Sequence, residues 1–364
     1  LTIASVAATP LPIDLKEVLF SQGVSDPEGQ LSAIAAAALD RADHGWFDLL
    51  DPAERLTATQ RQTLANALEQ RRLPSPGMGA KADFALRLIA LRQEIAAQGI
   101  DAFLLPRADE YLNEYVAPCA ERLAWLTGFT GSAGLAVVLA AQAAMFVDGR
   151  YTLQAATEVD TNEFQPLHIT ETPPQTWLAQ QLRPGQRVGV DPWLHTAEQL
   201  ERYGQKLAEA GIELVELASN PVDRIWLDRP PAPLGPVSVW PIACAGRAAA
   251  DKIADLAAEL TERQIAALVL SQPDSIAWLL NIRGTDVPHT PLPLSFAIVT
   301  AEGLVQLFIA EAKLRPGVRA HLGDVVQIRA PAAFEAALGE WAGQRVLLDA
   351  GQAPAAILRA LSAG

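Results

Sequence analysis

Cysteine is scarce in this chain of 364 residues: Cys119 and Cys244 are the only two. Two thiols are too few for a disulfide framework and lack metal-ligand spacing, which fits a reducing, cytoplasmic setting. The five histidines, His44, His168, His195, His289 and His321, stand far apart and form no His-x-x-x-His pair, so the sequence offers no metal ligands of that kind. Basic residues are in deficit, 28 Lys and Arg against 42 Asp and Glu, for a net charge of −14. Nucleic-acid binding requires basic clusters that neutralise phosphates, so that class of partner is excluded. Apolar runs are short. None reaches the roughly 18 residues that span a bilayer, and no membrane partner is expected. Residues 1–15 are mildly apolar but lack the basic region and apolar core of a signal peptide. The first residue is Leu rather than Met, as in a fragment or a processed product. No Gly-Lys-Ser/Thr run opens a helix and no Gly-x-Gly-x-x-Gly is present, which removes the common phosphate cradles.

What is present describes a globular chain of two or three domains. Half the residues are apolar and 19% are charged, enough to build real cores. Residues 1–78 read as a small helical extension with a linker. Ser25-Asp-Pro-Glu28 has capping-box spacing before an Ala-rich run to about Ala42, and Asp51-Pro-Ala-Glu54 and Thr57-Ala-Thr-Gln60 repeat the pattern before a run ending near Arg72. Leu73-Pro-Ser-Pro-Gly-Met-Gly79 then reads as the linker, and Met78 is a candidate natural start. No function attaches to this extension.

From Lys81 the pattern is α/β. Apolar residues recur at helical spacing from Phe84 to Ala97, and Gly99 closes that helix. Ile100–Leu105 is a short buried strand before Pro106, and further strands are predicted at Leu135–Leu139, Ala144–Val147 and Arg187–Val190. The Pro-rich stretch Arg229–Pro236 precedes a second unit that opens in the same way. A helix from about Lys252 to Glu262 is followed by a strand, Ile265–Leu270, and then by Ile276-Ala-Trp-Leu-Leu-Asn-Ile-Arg-Gly284, which echoes Leu123-Ala-Trp-Leu-Thr-Gly128. The first strand residue and the Trp are 25 positions apart in one copy (Ile100 to Trp125) and 13 in the other (Ile265 to Trp278). A duplicated domain, whose first copy carries an insertion containing Tyr111 to Cys119, accounts for this. The domains are therefore expected at 79–235 and 236–364.

Two motifs could mislead, and two could carry chemistry. Thr130-Gly-Ser-Ala-Gly134 nearly matches the Gly-x-Ser-x-Gly nucleophile elbow, but a strand rather than a helix is predicted after it. Its small residues read as allowing a tight backbone turn. Asp148-Gly-Arg-Tyr151 follows a predicted strand, and its turn would project the Arg150 guanidinium, a fixed fork of donors suited to a peptide carbonyl or carboxylate. The plainer reading is a surface arginine paired with Asp148 or Glu158. Asn281-Ile-Arg-Gly-Thr-Asp-Val-Pro-His289 leaves a helix for a Pro-rich loop, which either carries function or caps the domain.

The run Glu114-Tyr-Val-Ala-Pro-Cys-Ala-Glu-Arg-Leu-Ala-Trp-Leu-Thr-Gly-Phe-Thr-Gly-Ser-Ala-Gly134, with Asp148-Gly-Arg-Tyr151, Val188-Gly-Val-Asp-Pro192 and Asn220-Pro-Val-Asp-Arg-Ile-Trp-Leu-Asp-Arg-Pro230, resembles the long, three-domain form of aminopeptidase P. The resemblance runs from about residue 84 to 355. It implies an α/β fold of two tandem creatinase-like domains, each a mixed, ribonuclease-H-like sheet flanked by helices. It also implies a third, pita-bread domain beyond residue 364. That domain would hold two Mn²⁺ or Zn²⁺ ions on Asp, Asp, His, Glu and Glu, and cleave the bond after a residue that precedes Pro. On this basis the chain contains no catalytic or metal-binding residue, is inactive alone, and is homodimeric when full length. Arg150 matches the family's arginine that reaches the bound peptide, which makes it the expected substrate-binding residue. Leu347-Leu-Asp-Ala-Gly-Gln352 looks like the family's first metal-binding strand, but no Asp or Glu follows Asp349, so Asp349 is rejected as a ligand. The alternative is a binding module for peptides or protein partners, as in the histone chaperones that use peptidase-like domains without metal ligands.

Overall fold

The chain forms two compact units, Leu1–Met78 and Gly79–Gly364. The computed structural model describes residues 81–362 and, before them, Gln60 alone. The capping boxes, linker and start site read in residues 1–78 lie outside the described residues, Gln60 excepted. The second unit contains two sheets built on one plan. The first sheet uses β1 (Ala102–Pro106), β2 (Leu135–Leu139), β3 (Ala143–Val147), β4 (Phe164–His168), β5 (Arg187–Val190) and β6 (Glu213–Glu216) in the order β4-β3-β2-β1-β5-β6. The pairs β1–β2 and β2–β3 are antiparallel, whereas β3–β4, β1–β5 and β5–β6 are parallel. A two-stranded ribbon, β7 (Ser238–Val239) with β9 (Ile282–Arg283), lies apart from the larger sheets. The second sheet, from β8 (Ala267–Leu270), β10 (Phe296–Thr300), β11 (Val305–Phe308), β12 (Val326–Arg329) and β13 (Val346–Leu347), runs β12-β11-β10-β8-β13. Its pairs repeat the first sheet's directions one for one, so the duplication read in the sequence is structural.

Both faces of the first sheet are covered at its centre, which is why β1, β2 and β3 read as unbroken apolar runs rather than alternating ones. Phe103, Leu105, Ala136 and Val138 face helix α1 (Lys81–Ala97) through Leu88, Leu91 and Ile95. Ala102, Leu104, Val137 and Leu139 face Trp177, Leu178, Leu200 and Leu207 of helices α4 (Pro174–Gln181) and α5 (Ala197–Ala208). Helices α2 (Arg122–Thr127), α3 (Thr152–Glu158) and α6 (Pro221–Ile225) complete the first layer. In the second copy, α8 (Ala249–Glu262), α9 (Pro273–Leu280), α10 (Pro316–Leu322), α11 (Phe334–Gly339) and α12 (Ala355–Ser362) follow in the same way, preceded by α7 (Ile242–Ala245), which buries no residue. No helix among the described residues is long and apolar enough to cross a membrane.

The predicted boundaries shift for local reasons. Gly99 is left-handed at φ 68°, and the Ile100 amide bonds back to Ile95 O, so β1 starts two residues later than read, at Ala102. Pro273 opens α9, where its missing N–H is harmless. β4 went unread because Pro166 interrupts it, which an edge strand tolerates. The inserted segment read between Tyr111 and Cys119 joins the two domains. Tyr111 stacks on Phe296 at 4.5 Å, and Ala117 packs with Val287 and Leu294.

Candidate functional site

Arg150 lies in the turn that follows β3, closed by the Tyr151 amide donating to Asp148 O at 3.0 Å. Its side chain is 64% exposed, so it is available to a ligand. Asp148 holds it from one side: Nη2 donates to Oδ2 at 2.7 Å and Nε to Oδ1 at 3.0 Å, while the Arg150 amide donates to Oδ1 at 2.9 Å. The pair forms as the plainer sequence reading foresaw, with Asp148 and not Glu158. Hydrogen bonds from Arg150 hold the Asp148 carboxyl below its usual range. Glu158 is engaged elsewhere, accepting from Thr130 N at 2.8 Å and Thr130 Oγ1 at 2.9 Å.

The aspartate orients the fork without covering it, and neighbouring groups make a polar face. The Arg150 guanidinium lies 5.1 Å from the Tyr151 ring centre. The Tyr151 hydroxyl is 2.8 Å from Ser132 Oγ, which also donates to Glu114 Oε1 at 3.3 Å. Tyr151 meets Phe129 edge-on at 5.6 Å. A cation, two hydroxyls and a carboxylate therefore stand in sequence along one surface, an arrangement able to bind a zwitterionic or peptide-like ligand at both ends. Sequence reasoning found Arg150 but not its alliance with Glu114, Ser132 and Tyr151. Their only signal was their presence in the same two motifs, because the pairing of β2 with β3 brings them together.

Ser132 is no elbow nucleophile: β2 follows it directly, and its partners are Tyr151 and Glu114 rather than a histidine. The glycines beside it serve packing more than turning. Gly131 has no positive φ, but a Cβ there would come within 2.3 Å of the Phe129 ring, and one on Gly134 within 2.6 Å of Met145.

The Asn281–His289 loop is scaffold. Asn281 is left-handed at φ 52°, its side-chain Oδ1 accepts from Lys252 Nζ at 2.7 Å, and its side-chain Nδ2 donates to Arg247 O. Asp286 is fully buried and accepts from Gly235 N, Leu294 N and Lys313 Nζ at 3.0, 2.7 and 2.6 Å. These contacts fasten the Pro-rich linker to the second sheet and keep the Asp286 carboxylate away from solvent.

Asp349 stands two residues after β13, as Asp191 stands just after β5. Each closes the same turn, accepting from the amide two residues on: Trp193 to Asp191 at 2.9 Å and Gly351 to Asp349 at 3.1 Å. Asp349 is thus the second copy of a turn-forming aspartate. Among the described residues no three His, Cys, Asp or Glu side chains gather into a group that could hold a metal. The two metal ions implied by the resemblance do not fit these residues.

Residues 87–225 and 228–364 each match family models described as the creatinase/prolidase N-terminal domain. The chain is 42% identical over 250 residues to a protein named probable Xaa-Pro aminopeptidase P from Coccidioides posadasii, covering 68% of this chain and 41% of that one. A protein of the same name from Pyrenophora teres f. teres is 39% identical over 264 residues, covering 72% and 40%. The crystal structure of an X-prolyl aminopeptidase from Caenorhabditis elegans, described as a cytosolic enzyme with a di-nuclear active site, superposes with a TM-score of 0.67 at 30% identity. That match covers 71% of this chain and 44% of that one. The chain spans about two fifths of the length of the curated relatives it matches.

Proposed function

The chain belongs to the creatinase/prolidase N-terminal domain family, of which it carries two tandem copies, and on that premise we propose that it is the amino-terminal, non-catalytic portion of an Xaa-Pro aminopeptidase. The observation that carries this is the 42% identity over 250 residues to a protein of that name. In this reading the substrate is a peptide with proline in second position, and the setting is cytoplasmic. The two ions, Mn²⁺ or Zn²⁺, are held by a further domain, and the full-length protein is a homodimer whose architecture these domains support.

Arg150 is the substrate-binding residue of this reading. Its exposed fork, pre-oriented by Asp148, suits a peptide carbonyl or terminal carboxylate. Glu114, on the other side of the Ser132 and Tyr151 hydroxyls, gives the face an acidic end for a cationic group. No proton transfer or bond cleavage is assigned to these residues.

The test incubates the chain with Mn²⁺ and an Xaa-Pro peptide, following both binding and hydrolysis. Expected are no hydrolysis and weak peptide binding that Arg150→Ala reduces about tenfold. The variant should keep the same unfolding midpoint, because an exposed, solvent-screened pair contributes little to stability. Hydrolysis by this chain would place the catalytic site within it and overturn the reading. Equal binding of peptides with and without proline would favour a peptide-binding module.

A further inference from the structure

The two domains differ beyond β5 and β13. Up to that point they align residue for residue. The Asp101 amide donates to Arg187 O and the Ala266 amide to Arg345 O, both at 2.8 Å, which sets Val188 against Val346 and Val190 against Leu348. In the first sheet β6 then runs parallel beside β5. The Glu213 amide donates to Gln186 O at 3.0 Å and the Leu217 amide to Val190 O at 2.9 Å, and Val188 and Val190 are fully buried. In the second sheet no strand among the described residues lies beyond β13, and Val346 and Leu348 are only half-buried. An open edge of this kind is a template for another strand.

The helices differ at the same place. Arg87 precedes Ile100 by 13 residues, and Lys252 precedes Ile265 by 13. Each cation lies against its own domain's Trp, Arg87 at 4.8 Å from the Trp125 ring centre and Lys252 at 4.2 Å from that of Trp278. Each also donates to the carbonyl of that Trp. In the first domain the segment after β6 closes over the pair: Trp226 stacks on Trp125 at 5.3 Å. Burial pushes the Arg87 pKa down, and Asp228 of the covering segment acts against that shift. In the second domain Trp278 is 60% exposed. Lys252 is buried, yet it forms no ion pair among the described residues, bonding only to Trp278 O and Asn281 Oδ1. Burial, Arg283 and Arg247 all lower its pKa. A buried charge without a counter-charge is costly, and the first domain shows what relieves it: an aromatic and a carboxylate on one short segment.

We propose that a strand and short helix of the same polypeptide, following α12, dock on this face: the strand pairs parallel with β13, and the helix lays an apolar side chain on Trp278 and a carboxylate beside Lys252. The chain order fits, since α12 follows β13 as α5 follows β5 and leads to β6. The choice of occupant rests on the reading of this chain as the amino-terminal portion of a longer protein. Charge argues against a second copy seated face to face, which would bring Lys252, Arg247 and Arg283 against their own kind.

The test compares this chain with the same chain extended along its natural reading frame by about thirty residues, enough for a strand and a short helix but too few for a further domain. Hydrogen exchange of the Val346–Leu348 amides should slow about tenfold or more in the extended form. Acrylamide quenching of Trp278, taken as the difference from Trp278→Phe, should fall severalfold. Lys252→Met keeps the apolar stem and should reduce both gains. Unchanged exchange would overturn the added strand, and unchanged quenching would overturn the contact on Trp278. Full gains in Lys252→Met would overturn the carboxylate. A reading frame without such an extension, or protection of the unextended chain that grows with its concentration, would overturn the choice of occupant. None of these readouts needs metal or peptide, so protection in a protein that cleaves no Xaa-Pro bond would count against the peptidase reading alone.

Discussion

Trp125 and Trp278 hold matching places in the two domains, each between Ala and Leu on the helix after the first strand, yet Trp125 is 8% exposed and Trp278 60%. The first domain continues past β5 into β6 and α6, which lay Trp226 on Trp125 at 5.3 Å, and Arg87 stands 4.8 Å from the same ring. In the second domain β13 is the sheet edge among the described residues, and Trp278 has Lys252 Nζ 4.2 Å from its ring centre. A repeated motif therefore does not determine burial. The elements packed over it do.

Cutting each ring back tests this contrast most strongly. Trp125→Ala should cost about 3–5 kcal/mol, because it empties a packed core. Trp278→Ala should change stability by about 0.5 kcal/mol or less. Denaturant unfolding of both variants measures the difference, and equal losses would mean that Trp278 is covered in solution.

The second contrast pairs His195 with Ala353, two buried residues in the matching turns after β5 and β13. Burial pushes the His195 pKa down from 6.5 to about 4. Above pH 6.5 neither folded nor unfolded chain is charged there. As pH falls from 6.5 toward 4 the unfolded chain takes up a proton that the folded one refuses, so stability is lost across that window, by up to about 3 kcal/mol. Asp109 acts in the opposite sense, since burial raises it to about 6 and its contribution is lost as pH rises through that value. Comparing wild type with His195→Ala, which installs the other copy's residue, isolates the histidine. The difference between them should change with pH between 6.5 and 4 and be constant above; a constant difference throughout would refute the assignment.

The smallest contrast lies at Gly131 and Gly284, each three residues after the left-handed residue that ends its helix, Gly128 or Asn281. A Cβ on Gly284 would come within 2.5 Å of the Pro293 backbone, whereas one on Gly131 would meet the Phe129 and Tyr151 rings. Backbone yields less than a ring edge. Both alanine variants should destabilise, within about 1–3 kcal/mol, and Gly284→Ala more. Unfolding midpoints would show the order, and a reversed order would mean that the ring pair is the stiffer obstacle.

Much of this molecule is legible before folding. Helix α1 and its Gly99 stop, the strands at Leu135–Leu139 and Arg187–Val190, and the duplication itself are local: each follows from periodicity, apolar runs and turn residues. The exposed arginine after β3 is local as well, since an Asp-Gly turn projects it. The β4 edge strand was hidden by its proline, and the role of the Tyr111–Cys119 insertion lies in contacts with a domain far along the chain. Only tertiary structure joined Glu114 and Ser132 to Tyr151, placed Asp349 in a turn equivalent to that of Asp191, and set Arg107 and His195 around one cleft. Periodicity records what a residue's own turn or strand requires. These groupings depend on sheet pairing and domain packing, which bring together residues that no spacing in the chain connects.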